Sequence, residues 1–308
     1  MRKWIAKLLA GVYRLCLTLS QRWHRRTPHG IKKVQAKVIS IGTRDLYTKS
    51  NYQDFQRYQE ADIAIAADVE ATLPSLIESC KRLITPDRRR SLQERGKQLA
   101  ENKSRLIQRA RTDATYAWDG SPITTARLQA EIWDVIKTKD WASAGGAGPL
   151  WNIDKHYRTI DGAGGGGLGH GPPSAIGAAL AHRRHGRFVV KMQNDGDMMY
   201  TPGALWSATH HSIPMLFVMR NNRAYHQELM HLQRMANRYQ RGATADRTHI
   251  GVAIDNPNID FAMLARSMGL YGEGPITEPK DLGPALRRAA ERVEKGEVAL
   301  VDVVTQPR

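Results

Sequence analysis

Two short runs in the C-terminal half of the chain carry residue types that can do chemistry: Asn194-Asp195-Gly196-Asp197 and Asn221-Asn222-Arg223-Ala224-Tyr225. Each follows an apolar stretch that reads as a buried strand, Arg187–Gln193 before the first and Met215–Met219 before the second. In a parallel α/β sheet the carboxyl ends of the strands line the ligand crevice. Asn222 stands 27 positions after Asp195, room for one helical crossover between neighbouring parallel strands. A carboxylate and a carboxamide are therefore expected to converge at one sheet edge. Oxygen ligands of this kind suit a hard cation such as Mg²⁺, whose octahedron is usually completed by phosphate oxygens and water. Gly196 adds a place where backbone N–H groups can approach a phosphate without a Cβ in the way. Either run alone is only a turn signal. The specificity lies in the pair, its spacing and the strand before each half.

The surrounding pattern supplies the elements that must position these residues. Lys37–Gly42 and Ala61–Ala67 read as short strands, and Glu70–Leu83 has the apolar spacing of a helix. They resemble part of a small α/β domain, assigned to residues 31–85. Residues 86–120 are densely charged and read as a solvated helical connector. From 121 to 308 the texture changes. Pro122–Ile136, Pro202–His211, Ala224–Arg238, Ile259–Met268 and Leu282–Val293 read as helices, and Ala299–Val304 as a last strand. Strands alternating with helices at this spacing imply βαβ units and a parallel sheet flanked by helices.

A third element is glycine-dense: Gly167-Leu168-Gly169-His170-Gly171-Pro172-Pro173, leading into a helical pattern. Gly162–Leu168 loosely satisfies a dinucleotide-binding fingerprint, but no apolar strand precedes it. Taken together, the three elements resemble the cofactor-binding part of the thiamine-diphosphate enzymes of the acetolactate synthase and benzoylformate decarboxylase group. That family's signature is Gly-Asp-Gly followed, at the spacing seen here, by Asn-Asn and a nearby Tyr. Asn194 stands where the family has its first Gly.

The resemblance implies thiamine diphosphate and Mg²⁺ as cofactors. It implies side-chain metal ligands at Asp195 and Asn222 and a backbone ligand at the Ala224 carbonyl. Gly196 and Asp197 would give N–H groups to the diphosphate, and Tyr225 would lie beside the site. Gly167, Leu168 and Gly169 would run beneath the thiazolium ring, with Leu168 holding the cofactor in its bent form. The implied reaction is decarboxylation or carboligation of a 2-oxo acid, in an assembly that is a homo-oligomer or includes a separate subunit bearing the pyrimidine-binding domain. The family glutamate of that domain has no counterpart before residue 37, so no catalytic acid–base residue is assigned. A truncated remnant that binds cofactor without catalysis is the alternative.

The bulk properties fit this reading. The net charge of +16 is uneven: eleven Lys and Arg precede the first acidic residue, Asp45. The basic character therefore belongs mainly to the N-terminal segment, and nucleic acid is not an expected partner. Residues 1–30 read as an irregular or amphipathic leader, with no apolar run long enough to span a membrane. Cys16 and Cys80 show no metal-ligand spacing and fit a reducing, cytoplasmic location. His210, His211, His226 and His231 cluster without forming a metal box.

Overall fold

The computed structural model describes residues 39–42, 62–160, 167–242 and 245–307. The leader and Gly162–Gly166 lie outside them. The chain divides into two compact units, Met1–Asn102 and Lys103–Arg308.

In the first unit, β1 (Ile39–Gly42) and β2 (Ile63–Ala66) pair in parallel, Ile39 opposite Ile63. Helix α1 (Val69–Leu83) starts at Asp68, whose side chain accepts from the Ala71 N–H at 2.8 Å. That bond satisfies one of the donors a helix start leaves open. None of the α1 residues is buried. The charged run is one long helix, α2 (Pro86–Ala114), in which only Ala114 is buried. The boundary between the units falls inside it, so the connector assigned to residues 86–120 is divided between them.

The second unit is built on a five-stranded, wholly parallel sheet in the order β3-β4-β5-β7-β6. The strands are β3 (Trp141–Ser143), β4 (Phe188–Asn194), β5 (Met215–Asn221), β6 (Tyr271–Ile276) and β7 (Val298–Val304). Both faces are covered, which is why β5 is apolar without alternation. Leu216 and Val218 enter one core, with α3 (Thr125–Ile136) and the C-terminal helix α10 (Pro279–Glu294). Met215, Phe217 and Met219 enter the other, with α4 (Gly171–Arg183), α6 (Ala204–His210) and α9 (Phe261–Ser267). Between these lie the short α5 (Asp195–Met198), then α7 (His226–Arg238) and α8 (Ala245–Thr248). Full burial of each such side chain contributes about 1.5–3 kcal/mol, enough to hold the strand ends in place.

Two details depart from the sequence pattern. Helix α3 begins after Thr124, whose hydroxyl accepts from the Arg127 N–H at 3.1 Å. Pro122 therefore precedes the helix instead of sitting in its first turn. Strand β6 has no apolar signature: its Gly272, Gly274 and Pro275 read as a turn. It forms at the sheet edge, where an irregularity between Glu273 and Ile276 accommodates the proline. Gly274, at φ +129°, lies so close to β7 that a Cβ would stand 2.4 Å from the Asp302 carbonyl. Among the described residues, no helix is long and apolar enough to cross a membrane.

Candidate functional site

The carboxyl ends of β4 and β5 are neighbours, with Asn194 opposite Arg220. The chain leaves β4 directly into α5, so Asp195 sits at the corner, 1% exposed. Its Oδ1 accepts from the Gly196 N–H at 2.8 Å and its Oδ2 from the Ala224 N–H at 3.3 Å. The same Ala224 N–H reaches the Asn222 Oδ1 at 3.2 Å. One amide thus gathers a carboxylate oxygen and a carboxamide oxygen from separate strands. Burial pushes the Asp195 carboxyl above the ordinary range, against the N–H groups of Gly196, Arg223, Ala224 and Asn222 that favour its ionised form. A buried carboxylate in that condition gains from a cation beside it.

The loop from Asn222 to Tyr225 is held from the other side. Tyr225 donates its N–H to the Val252 carbonyl at 2.8 Å, and Ile254 donates to the Arg223 carbonyl at 2.7 Å. Arg223 takes a positive φ of 58°, which turns the chain between the two ligand candidates. The Tyr225 ring then lies over Gly196, where a Cβ would stand 2.5 Å from the ring. This gives the glycine a second reason beyond phosphate approach. Burial, followed by the neighbouring Tyr200, raises the Tyr225 hydroxyl above its ordinary range. The two rings meet edge to face at 6.0 Å.

Asp197 has a different task. Its Oδ1 accepts from the Gly169 N–H at 2.7 Å, and its Oδ2 from the Gly171 N–H at 3.1 Å and the Gln193 Nε2 at 2.7 Å. The side chain therefore fastens the Gly167–Gly171 turn to the end of β4, at the N-terminus of α4, where a negative charge is favoured. Gly169 sits at φ +86° and its carbonyl accepts from the Thr201 hydroxyl at 2.7 Å. Gly171 is required by contact: a Cβ would stand 2.0 Å from the Asp197 Oδ2. Leu168, between the pinned glycines, is 48% exposed. Beside Gly167 a Cβ would meet nothing among the described residues. Open space and an exposed apolar side chain together leave room for a ligand ring.

The structure thus brings together Gly167, Leu168, Gly169, Asp195, Gly196, Asp197, Asn222, Ala224 and Tyr225. Three contributors carried no signal in the motifs. Gln193 is buried, and its Oε1 has no hydrogen-bond partner among the described residues. Arg220 donates through Nε and a terminal nitrogen to the Asn194 Oδ1, at 3.0 and 2.6 Å, so Asn194 is tied to the next strand. Asp302 is a lone carboxylate in the apolar run of β7, and that oddity was visible in the sequence. Of the histidines, His210 stacks on Trp206 at 4.6 Å and His211 meets it edge-on, a packing arrangement. No group of three or more His, Cys, Asp or Glu is placed to hold a metal among the described residues. The set at Asp195 differs in kind: a carboxylate and a carboxamide oxygen that meet at the Ala224 N–H are donors of the type that suits a hard cation, which also takes phosphate oxygens and water.

The region Trp141–Trp151 yields the three-residue β3. Trp141 is packed edge-on between Trp133 and Trp151, at 5.9 and 5.7 Å. The Trp151 Nε1 donates to the Gln129 carbonyl at 2.9 Å. Aromatic packing therefore holds this edge where strand length does not.

Comparison with known proteins follows the same lines. The thiamine pyrophosphate enzyme family profile, C-terminal TPP binding domain, matches residues 143–303, just over half of the chain. A Mycobacterium tuberculosis protein provisionally named acetolactate synthase large subunit IlvX is 34% identical over 125 residues, covering 41% of this chain and 23% of that protein. Benzoylformate decarboxylase of Pseudomonas aeruginosa is 33% identical over 141 residues, 46% of this chain and 24% of that protein. The solved structure of the thiamine diphosphate-dependent 4-hydroxybenzoylformate decarboxylase of Rhodococcus jostii RHA1 superposes with a TM-score of 0.60 at 20% identity, covering 99% of this chain and 51% of that one. The chain spans about half the length of that structure, and its matched segment about a quarter of the curated relatives. With a parallel sheet, its ligand corner and the profile match all within the second unit, the chain belongs to the thiamine pyrophosphate enzyme family through its C-terminal TPP-binding domain.

Proposed function

We propose that this chain holds the diphosphate of thiamine diphosphate through Mg²⁺, as the cofactor-binding part of a 2-oxo acid decarboxylase or carboligase. The observation that carries the reading is the Ala224 N–H shared by the Asp195 Oδ2 and the Asn222 Oδ1. Two hard oxygens that follow different strands meet at one amide at the sheet's carboxyl edge. Such preorganisation lowers the ordering cost of binding.

In this reading Asp195, Asn222 and the Ala224 carbonyl would hold the metal, leaving its other positions to diphosphate oxygens and water. The Gly167–Gly171 turn, pinned by Asp197, offers Leu168 and the open space at Gly167 to the rings. Thiamine diphosphate, when bound, supplies the electron sink that 2-oxo acid chemistry needs. This chain's residues bind it, orient it and neutralise its charge. The 2-oxo acid pocket, and a homo-oligomeric partner or separate pyrimidine-domain subunit to complete it, belong to the same proposal.

The test is a calorimetric titration of the folded chain with thiamine diphosphate, with and without Mg²⁺. Saturable binding that requires Mg²⁺ is expected. Absence of binding by a folded chain, or binding indifferent to Mg²⁺, would contradict the reading.

A further inference from the structure

The Asn222–Tyr225 loop is built on a closed frame, and one side chain closes it. On one side the loop leaves β5 at Asn221, whose carbonyl accepts from the Thr305 N–H at 2.9 Å. On the other side it pairs with residues 252–254, which run on into α9 at Phe261. Asp302 joins these two ends. Its Oδ1 accepts from the Asn221 Nδ2 at 3.1 Å, and its Oδ2 accepts from the Phe261 N–H at 3.2 Å. The residue is 0% exposed and Asn221 is 5% exposed, so the bond between them is shielded from water.

A carboxylate in this place is costly. Burying one without a cation is unfavourable, and an apolar residue of similar volume in a β-strand is often neutral or better for stability. The rest of β7 is apolar and fully buried. The compensating gain is positional: the two acceptors of one rigid group fix the start of the loop and the segment beneath it at once.

We infer that Asp302 is a positioning residue for the cofactor's metal, acting through Asn221 and the start of α9 to hold Asn222 and Ala224 in register with Asp195. It touches neither metal nor cofactor. Its functional meaning rests on the proposed Mg²⁺ site, whereas the frame it closes is made of this chain's own hydrogen bonds. The two are therefore separable by experiment.

The experiment compares wild type, Asp302→Asn, Asn221→Ala and the exchanged pair N221D/D302N, each as the full chain. Amide hydrogen exchange is followed by mass spectrometry without ligand, and Mg²⁺-dependent thiamine diphosphate affinity by calorimetry. Removing a direct outer partner of a metal ligand typically weakens metal affinity by about 10–100-fold, and Asp302 stands one residue further out, so the lower end applies. Asp302→Asn and Asn221→Ala should each speed exchange across Asn222–Tyr225 by about tenfold or more, corresponding to about 1.4 kcal/mol of lost protection. Exchange in β4 should stay unchanged. Cofactor affinity should fall about tenfold, by more than the loss of ligand-free stability accounts for, and the exchanged pair should recover part of both. If Asp302→Asn fails to fold, Asn221→Ala breaks the same bond from its other end and carries the test. Wild-type exchange across the loop in a folded variant would overturn the inference, as would affinity lost only in proportion to stability. Wild-type chain that does not bind the cofactor would overturn the Mg²⁺ reading and with it the residue's part in metal binding. The exchange data would still decide the frame.

Discussion

The two walls of the site are each governed by one aspartate, and the two aspartates are used in opposite ways. In the wall formed by the β5 loop, Asp195 is buried and its Oδ2 shares a long amide contact with Asn222. Its carboxyl is raised by burial and gains from a cation. In the wall formed by the glycine turn, Asp197 is already committed to two backbone N–H groups and the Gln193 amide. One carboxylate meets the Asn222 carboxamide oxygen at a shared amide and is the one proposed to take the metal; the other fastens the glycine turn. Two residues of the same type, two positions apart, differ because the turn between them points one at the next strand's loop and the other at a helix start.

The largest effect that would sharpen this contrast is expected from Asp195→Ala. Removing the carboxylate proposed to hold the metal should weaken Mg²⁺-dependent thiamine diphosphate binding at least about 100-fold, far beyond any loss of stability in the ligand-free chain. Calorimetry paired with thermal melting reads both. Asp197→Ala should do the reverse. It strands the Gly169 and Gly171 N–H groups and should cost about 1–3 kcal/mol of stability in denaturant titration. A variant at 197 that melts like wild type would break the comparison.

A smaller effect concerns pH. Burial pushes the Asp302 carboxyl up to about 6, against the bonds from Asn221 and Phe261 that favour its ionised form, with Asp260 and Asp195 adding to the rise. The native state therefore holds its proton more tightly than the unfolded chain. The stabilisation this provides is complete below the ordinary carboxylate range and is lost as pH rises through about 6. Ligand-free chain should accordingly lose about 1 kcal/mol from this group between about pH 5 and pH 7.5, and Asp302→Asn should remove that component. Denaturant midpoints at the two pH values check it. The smallest effect is that of Leu168→Ala. An exposed side chain contributes little to folding, so its melting temperature should move by no more than about 2 °C. Cofactor affinity should fall severalfold by loss of apolar contact, about 1 kcal/mol. A large loss of stability would mean that Leu168 packs inside the protein and is not left for a ligand.

Much of this site was legible because its chemistry sits where local sequence and topology agree. Apolar runs fixed β4, β5 and β7, and short polar runs directly after β4 and β5 located the corner. What stayed hidden depended on tertiary contact. Strand β6 is made of glycine and proline and exists because β7 offers it an edge. The role of Asp197 followed from a helix start brought beside it, which motif spacing does not encode. Asp302 stands out as a carboxylate in an apolar run, but its task depends on Asn221 and Phe261, 81 and 41 positions away.

The most direct test of the central claim is a crystal structure of the chain grown with Mg²⁺ and thiamine diphosphate. The account predicts one metal bonded to the Asp195 carboxylate, the Asn222 carboxamide oxygen and the Ala224 carbonyl at about 2.1 Å, with diphosphate oxygens completing the octahedron. Diphosphate bound at the same corner without a metal, or a metal held by other residues, would contradict it.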